Sequence, residues 1–213
     1  IRVGGQETFV VEACEYTNSF LSFFPTIEVI LNVEADHLDF FKDIDDIRHS
    51  FKLFAEKLPE DGLLVINKDI KHCEYFTQEL KCRVVTFGHE KDADYTANFI
   101  SYDKFAHPSY TLFYKGEELA KVELGVTGEH NIYNSLAAIA VARSLDIPME
   151  VILRGLKRFT GTDRRFQKKG SVNGFTIIDD YAHHPQEIAA TIEAAKKYPH
   201  RKLWIVFQPH TYS

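Results

Sequence analysis

The sequence predicts an α/β protein in which a mostly parallel sheet with covering helices and hairpins is followed by the beginning of a second, Rossmann-like domain. Short apolar runs typical of buried strands alternate with helical patterns, as a parallel sheet requires. The strand–helix alternation begins again after Gly161. We therefore expect two domains, at residues 1–160 and 161–213.

The first domain opens with apolar runs that are followed directly by acidic residues. Residues 9–11 and 27–33 are such runs, and we expect both to form strands. Over about 46–58 the apolar residues keep a helical period, which Pro59 and Gly62 end. This period predicts a helix that covers one face of the sheet.

Two more buried strands, at residues 63–66 and 84–87, flank a helical segment and continue the parallel sheet. Residues 97–124 then alternate between apolar and polar side chains around a Lys-Gly turn, which predicts hairpins. Amphipathic helices over about 131–145 and from Pro148 onward complete the domain.

In the second domain, apolar residues 175–178 and 203–207 predict two strands joined by a helix from Pro185 to about 197. If this helix is a right-handed crossover, the strands are parallel and their following loops meet at one sheet edge. Open α/β sheets bind ligands at such an edge. The polar loops at 179–185 and 208–212 are therefore candidate site segments.

The composition indicates a soluble globular protein and excludes several classes of function. The chain has 213 residues, of which 45% are hydrophobic, and a net charge of -6. This acidic balance argues against a nucleic-acid surface. No apolar stretch approaches the roughly 18 residues that a membrane span needs. The cysteines Cys14, Cys73 and Cys82 form no CxxC pair and leave an odd count, which fits a reducing cytoplasm.

Acidic residues with one histidine follow the first two apolar runs. They are Glu12 and Glu15 after the first run, and Asp36, His37 and Asp39 after the second. Carboxylates at strand ends can bind a divalent cation, and magnesium usually takes only one or two protein ligands. The alternative is that these side chains are solvated loop residues, and their spacing alone leaves both interpretations open.

Asn131 and Asn134 lie three residues apart at the start of a predicted helix, so both face the same side of its first turn. A carboxamide offers the donor and acceptor that adenine's N6 and N7 edge requires. The alternative is that Asn131 only caps the helix. Asn134, which is not needed as a cap, is the more diagnostic residue.

Charged residues also gather near the predicted domain junction. An arginine pair, Arg164 and Arg165, can reach a phosphate or can simply face solvent. Asp180 can accept a hydrogen bond from a ribose hydroxyl, although one of Asp179 and Asp180 can instead cap the helix that follows. His210 is either a catalytic contact or an ordinary loop histidine.

Taken in chain order, the polar motifs closely resemble those of the Mur ligases. They span the whole chain in the family's order, and the Asp-Asp-Tyr-Ala-His-His-Pro element is similar to that of the alanine-adding branch. The motifs lie at residues 11–15 (VEACE), 32–39 (NVEADHLD), 128–134 (GEHNIYN), 161–166 (GTDRRF), 179–185 (DDYAHHP) and 207–210 (FQPH).

The resemblance implies a central ATPase domain followed by the start of a ligase domain, acting in peptidoglycan synthesis. The implied reaction joins L-alanine to UDP-N-acetylmuramate through an acyl phosphate, with ATP and magnesium as cofactors. The implied roles are magnesium binding by Glu12 and His37, adenine contacts by Asn131 and Asn134, phosphate contact by Arg165, nucleotide and γ-phosphate contacts by Asp180 and His184, and a place near the incoming amino acid for His210. His37, Arg165, His184 and His210 are the implied catalytic residues.

Two features depart from the family pattern. A Gly-x-x-Gly-Lys-Thr/Ser phosphate loop and a UDP-sugar domain do not occur in these residues, so we expect both to precede Ile1 and the fragment alone to be inactive. Thr211 follows His210 where many relatives have arginine, which leaves the amino-acid pocket open.

Three alternative functions stay open at this point. One is a sister ligase that joins a preformed murein peptide to UDP-N-acetylmuramate. Another is a metal-dependent phosphohydrolase that brings Asp36, His37 and residues 179–184 into one compact metal site. The third is a nucleotide-binding fragment without catalytic activity.

Overall fold

In the larger of two sheets, the strands lie side by side in the order in which they occur along the chain. The computed structural model describes residues 4–209. Within these residues the first three strands pair in parallel, and the fourth joins the third in parallel through the single pair Phe87 and Tyr95. The last three strands are antiparallel. The strands are β1 (Ile27–Ile30), β2 (Leu63–Asn67), β3 (Arg83–Phe87), β4 (Tyr95–Tyr102), β5 (Pro108–Tyr114) and β6 (Glu117–Glu123).

Helices cover both faces of this sheet. Alternate residues of β2 point to opposite faces, and Leu63, Leu64, Val65 and Ile66 are all buried. Leu64 and Ile66 pack with the first two helices of the chain, whereas Leu63 and Val65 pack with the next two. The helices are α1 (Ile44–Ala55), α2 (Glu74–Thr77), α3 (His130–Ser144) and α4 (Met149–Arg158). The predicted α/β class with a mostly parallel sheet and added hairpins is confirmed.

Helix α1 begins two residues before the predicted position because Asp43 caps it. The Asp43 carboxylate accepts hydrogen bonds from the backbone N–H groups of Asp45 and Asp46. Such a cap satisfies donors that the first helical turn leaves without partners. The helix ends at Ala55, three residues before the predicted end.

The second sheet is an antiparallel hairpin of β7 (Gln167–Val172) and β8 (Phe175–Asp179), followed by α5 (Pro185–Lys197). The prediction missed β7 because its residues are mostly polar. Its turn is Asn173–Gly174, and both residues have positive φ. An Asn-Gly pair is the preferred sequence for a two-residue hairpin turn, so this pair was the available signal.

Two predicted strands do not form in the described part of the chain. Residues 9–11 and 203–207 have no strand assignment, and the side chains of Val10 and Val206 are 87% and 98% exposed. An apolar run becomes a strand only when a neighbouring strand supplies hydrogen-bond partners. Because residues 203–207 form no strand, the predicted parallel pairing of residues 175–178 with 203–207 is also wrong.

One carboxylate lies inside the sheet's helical covering. Glu28 in β1 is 3% exposed and shares a strand face with buried Ile30. Neither carboxylate oxygen has a hydrogen-bond partner among the described residues. Burial therefore raises the pKa of Glu28 from its ordinary value of 4.5 to about 8. Glu28 stays protonated in the folded chain at neutral pH, where an unfolded chain would ionise it.

We expect Glu28 to make the chain less stable as pH rises. The raised pKa means that the contribution of Glu28 to the free energy of unfolding is fully present below pH 4.5, falls between pH 4.5 and about 8, and levels off above that. Each unit of pKa shift corresponds to about 1.4 kcal/mol, so the loss should amount to a few kcal/mol. Urea unfolding from pH 5 to 8.5 measures it.

Glu28→Gln should remove most of this pH dependence and raise stability at pH 8.5. The matched control is Glu117→Gln, because Glu117 is exposed and makes no side-chain hydrogen bond among the described residues. A Glu28→Gln protein with the same pH dependence as the unmodified chain would contradict the assignment of this titration to Glu28.

Candidate functional site

The loops after the parallel strands leave the sheet at one edge, and three of the candidate residues, His37, Asn131 and Asn134, lie in this part of the fold. His37 follows β1, Asp69 follows β2 and His89 follows β3. The first turn of α3 reaches the same edge, where the Tyr133 hydroxyl is hydrogen-bonded to His89 Nε2. Open α/β sheets bind ligands at the carboxyl ends of their strands.

His37 lies in a cluster of acidic and aromatic side chains. Its Nε2 atom is 3.6 Å from Glu15 Oε1 and 4.0 Å from Asp36 Oδ2. Its ring centroid lies 4.6 Å from that of Tyr16, whose hydroxyl donates to Asp39 at 2.8 Å. The φ of His37 is +51°, a conformation that non-glycine residues adopt rarely and that is often found at functional sites.

The structure brings Glu15, rather than Glu12, to His37. Glu12 is exposed and makes no hydrogen bond or ion pair with His37 among the described contacts. Across residues 4–209, no group of three or more His, Cys, Asp or Glu side chains is arranged to hold a metal ion. The carboxylates of Glu15 and Asp36 are nevertheless the hard oxygen donors that magnesium prefers, and it needs only one or two.

The first turn of α3 holds both candidate asparagines in a hydrogen-bonded array. Asn131 Nδ2 donates to the Thr127 carbonyl at 2.7 Å, and Asn134 Nδ2 donates to Asn131 Oδ1 at 3.2 Å. The residue at the cap position is Glu129, and its side chain makes no cap hydrogen bond. Asn131 therefore ties the helix to the preceding loop instead of capping it, and the carbonyl oxygen of the exposed Asn134 makes no hydrogen bond among the described residues.

Asp180 organises the loop between β8 and α5. Its two carboxylate oxygens accept hydrogen bonds from the backbone N–H groups of Phe166 and Ala182, both at 2.8 Å. Asp179 instead lies 3.6 Å from Lys169 Nζ. The helix is capped by His184, so the interpretation that an aspartate caps it is wrong.

Arg165 and His184 are both connected to Glu187 in the first turn of α5. Arg165 NH1 lies 3.2 Å from Glu187 Oε1, and the His184 N–H donates to Glu187 Oε2 at 3.4 Å. Burial by itself would raise the pKa of Glu187, but the hydrogen bonds from backbone N–H groups and from Arg165 outweigh it and lower this pKa. An ionised Glu187 holds Arg165 beside the start of α5.

His130, the first residue of α3, brings the two sheets' loops together. Burial lowers the pKa of its imidazole, while the nearby Asp180 carboxylate opposes this change and the Arg165 guanidinium adds to it. Asp180 and Arg165 therefore lie near the turn that carries Asn131 and Asn134. The remaining candidate, His210, lies outside the described residues.

A second contact joins α5 to the larger sheet. Lys197 Nζ donates to Glu129 Oε2 at 2.9 Å and to the Tyr102 hydroxyl at 2.8 Å. The hydrogen bond from Lys197 lowers the pKa of Glu129. Beside this contact is a cavity of about 280 Å³ lined by the start of α3 and by α5. A larger groove of about 590 Å³ follows α4 past Arg154 and Arg158 and contains none of the candidate residues.

No helix among residues 4–209 has the length and apolar character needed to cross a membrane.

Comparison with known proteins identifies the family. The family description "Mur ligase middle domain" matches residues 2–142, and "Mur ligase, glutamate ligase domain" matches residues 164–212. A protein of Lachnospira eligens named UDP-N-acetylmuramate–L-alanine ligase is 61% identical over the whole chain. The chain covers 46% of that protein, so it spans about half the length of the curated relatives it matches.

Solved structures show the same relationship. The UDP-N-acetylmuramate-alanine ligase of Thermotoga maritima is 28% identical, with a TM-score of 0.72 over 84% of this chain and 40% of that one. The MurF ligase of the same organism, solved in complex with ADP, shares the fold at 21% identity and a TM-score of 0.67, over 82% of this chain and 40% of that one. Together with a family match over residues 2–142, these findings show that the chain belongs to the Mur ligase family.

Proposed function

We propose that this chain is the ATP-handling part of a cytoplasmic ligase that joins L-alanine to UDP-N-acetylmuramate in peptidoglycan synthesis. The observation that carries the proposal is the 61% identity, over every residue of the chain, to a ligase named for that reaction. The position of Asp180 and Arg165 near the first turn of α3 supports it, because a nucleotide can contact both units at that junction.

The proposed reaction proceeds in two steps. The muramyl carboxylate attacks the γ-phosphorus of ATP, which forms an acyl phosphate and releases ADP. The amino group of L-alanine then attacks the acyl carbon, so that a C–N bond forms, the C–O bond to phosphate breaks and inorganic phosphate leaves. The amine gives up a proton in this second step. Phosphoryl transfer of this kind depends chiefly on positioning and charge neutralisation.

Asn134 is the proposed primary contact for the adenine base. Asn131 already uses its amide donor on Thr127 and its oxygen on Asn134. Asn134 has a free carbonyl oxygen and a second N–H, which can accept from N6 and donate to N7 of adenine. In this arrangement Asn131 holds the Asn134 carboxamide in place.

Asp180, Arg165 and His184 are proposed to act on the ribose and phosphates. Both Asp180 oxygens already accept one backbone hydrogen bond, and each keeps a second lone pair for a ribose hydroxyl. The Arg165 guanidinium is about half exposed beside Glu187 and has further N–H donors for a phosphate. His184 lies at the start of α5, where the helix dipole favours an anion.

His37 and the carboxylates beside it are the proposed magnesium-site residues, with Glu12 as a further candidate. Magnesium, when bound, neutralises charge on the phosphate oxygens during transfer. Glu15 and Asp36 fit its preference for oxygen ligands, and His37 Nε2 lies 3.6 Å and 4.0 Å from their carboxylate oxygens.

The sister ligase that accepts a preformed peptide is the second proposed candidate, and the phosphohydrolase is disfavoured. The sister ligase differs in the incoming amine, whose proposed contact His210 lies outside the described residues. The phosphohydrolase needs one compact metal site holding residues 36–37 and 179–184. Among the described side chains these segments form no such group.

We expect Asn134→Ala, in a full-length ligase that carries these residues, to weaken ATP binding about tenfold while leaving the affinity for UDP-N-acetylmuramate unchanged. Losing one such hydrogen bond typically costs about 1 to 3 kcal/mol. Isothermal titration with a non-hydrolysable ATP analogue measures the effect. The control is Asn98→Ala, because Asn98 is an exposed residue of β4. Equal loss for both substrates would indicate a purely structural Asn134.

His37→Ala should cut the ligation rate severely and raise the magnesium concentration needed for half-maximal rate. The physical reason is that His37 orients Glu15 and Asp36, whose oxygens are proposed to bind the ion directly or through water. Initial rates of alanine-dependent phosphate release are measured against magnesium concentration. His107→Ala is the control, because His107 pairs with Asp103 in a hairpin loop. An unchanged magnesium dependence in His37→Ala would argue against this assignment.

A further inference from the structure

A chain of hydrogen bonds runs from the sheet edge to the first turn of α3 through residues that the proposed function does not use. Asp69, just after β2, contacts His89 Nδ1 at 2.9 Å. On the other side of the imidazole, His89 Nε2 is hydrogen-bonded to the Tyr133 hydroxyl. The rings of His89 and Tyr133 also pack against each other, with centroids 4.0 Å apart.

Asp69, at one end of this series of hydrogen bonds, is held in place by several further hydrogen bonds. Its carboxylate also accepts hydrogen bonds from the backbone N–H groups of His89 and Glu90, at distances between 2.9 and 3.2 Å. Its own backbone N–H donates to Asn67 Oδ1 at 3.0 Å, and Asn67 Nδ2 donates to the Leu31 carbonyl. These hydrogen bonds connect the loops after β1, β2 and β3 to one another, and the His89–Tyr133 hydrogen bond then connects them to α3.

The direction of the hydrogen bonds follows from the groups involved. The Asp69 carboxylate can only accept, so His89 Nδ1 carries the proton and Nε2 accepts from the Tyr133 hydroxyl. Burial raises the pKa of Tyr133, with smaller contributions from Glu129 and Asp69, so this hydroxyl keeps its proton. Both ring nitrogens of His89 therefore have a hydrogen-bond partner, a carboxylate on one side and a phenol on the other.

Tyr133 lies in the same helical turn as Asn131 and Asn134, so fixing Tyr133 fixes the backbone that carries both asparagines. Ile132 of this turn is buried in the core, and the neighbouring Ser135 hydroxyl is hydrogen-bonded to the Tyr110 hydroxyl. The two asparagines make no described contact with the sheet edge, because Asn131 bonds to Thr127 and Asn134, and Asn134 bonds only to Asn131. The Tyr133 ring also lines the cavity between α3 and α5, where nucleotide and second unit are proposed to meet.

We infer that Asp69, His89 and Tyr133 are positioning residues that hold the first turn of α3 in the orientation required for nucleotide binding. The inference rests on the proposed function for its ligand, and on the hydrogen bonds alone for its geometry. Breaking the bond at either end should loosen the turn and misplace the Asn134 carboxamide.

The test uses Tyr133→Phe, His89→Ala and the double variant in a full-length ligase that carries these residues. Tyr133→Phe keeps the ring and removes only the hydroxyl. Each single variant should raise the Kd of a non-hydrolysable ATP analogue about three- to tenfold. The Kd of the double variant should not exceed that of the single variant that binds the analogue more weakly. The Kd for UDP-N-acetylmuramate and the melting temperature should stay unchanged. Tyr114→Phe is the control, because its hydroxyl makes no described hydrogen bond.

Hydrogen–deuterium exchange of residues 130–135 supplies a readout that needs no ATP. Exchange there should be faster in both single variants than in the unmodified ligase, while exchange in the second half of α3 stays the same. Unchanged exchange, or additive losses of ATP affinity, would overturn the inference. If the unmodified ligase fails to bind the analogue at all, the proposed function fails, and the exchange result still decides whether the residues position the turn.

Discussion

The arrangement of the candidate site depends on the burial of β2 on both faces. Leu64 and Ile66 are covered by α1 and α2, and Leu63 and Val65 by α3 and α4. A strand covered on both sides leaves polar groups only at its ends, because an unpaired polar group in the core is costly. Apart from the buried Glu28 of β1, the polar candidate residues of this region lie in the loops at the carboxyl ends of β1, β2 and β3, and the first turn of α3 meets those loops.

The two units of the chain are joined by charged and polar contacts rather than by a shared apolar core. The two core clusters contain residues between Ile27 and Leu156, and Ala194 is the one buried apolar residue described after them. Lys197 reaches Glu129 and Tyr102, and Arg165 and Asp180 lie near His130. Such contacts are partly exposed and individually weak, so they allow the units to move relative to each other.

Sequence reasoning located most of the sheet because strand and helix periodicity reports directly on burial. The predicted strands included β1, β2 and β3, and the motif at residues 128–134 marked the start of α3. The predicted strands did not include β7, whose residues are mostly polar and are followed by the Asn-Gly turn of a hairpin. Strands were also predicted at 9–11 and 203–207, where none forms. Those errors share one cause, since pairing depends on a neighbouring strand that the local sequence does not describe.

Local sequence patterns were enough to predict the α/β class, the family resemblance and the residue types proposed for nucleotide and metal binding, because each of these depends on neighbouring residues. The tertiary structure alone decided which of those residues meet. It brought Glu15 to His37 instead of Glu12, used both Asp180 oxygens to hold a loop, and gave the capping of α5 to His184. It also connected Asp69, His89 and Tyr133 across 64 residues of chain, because contacts between distant segments form only when the sheet brings its loops to one edge.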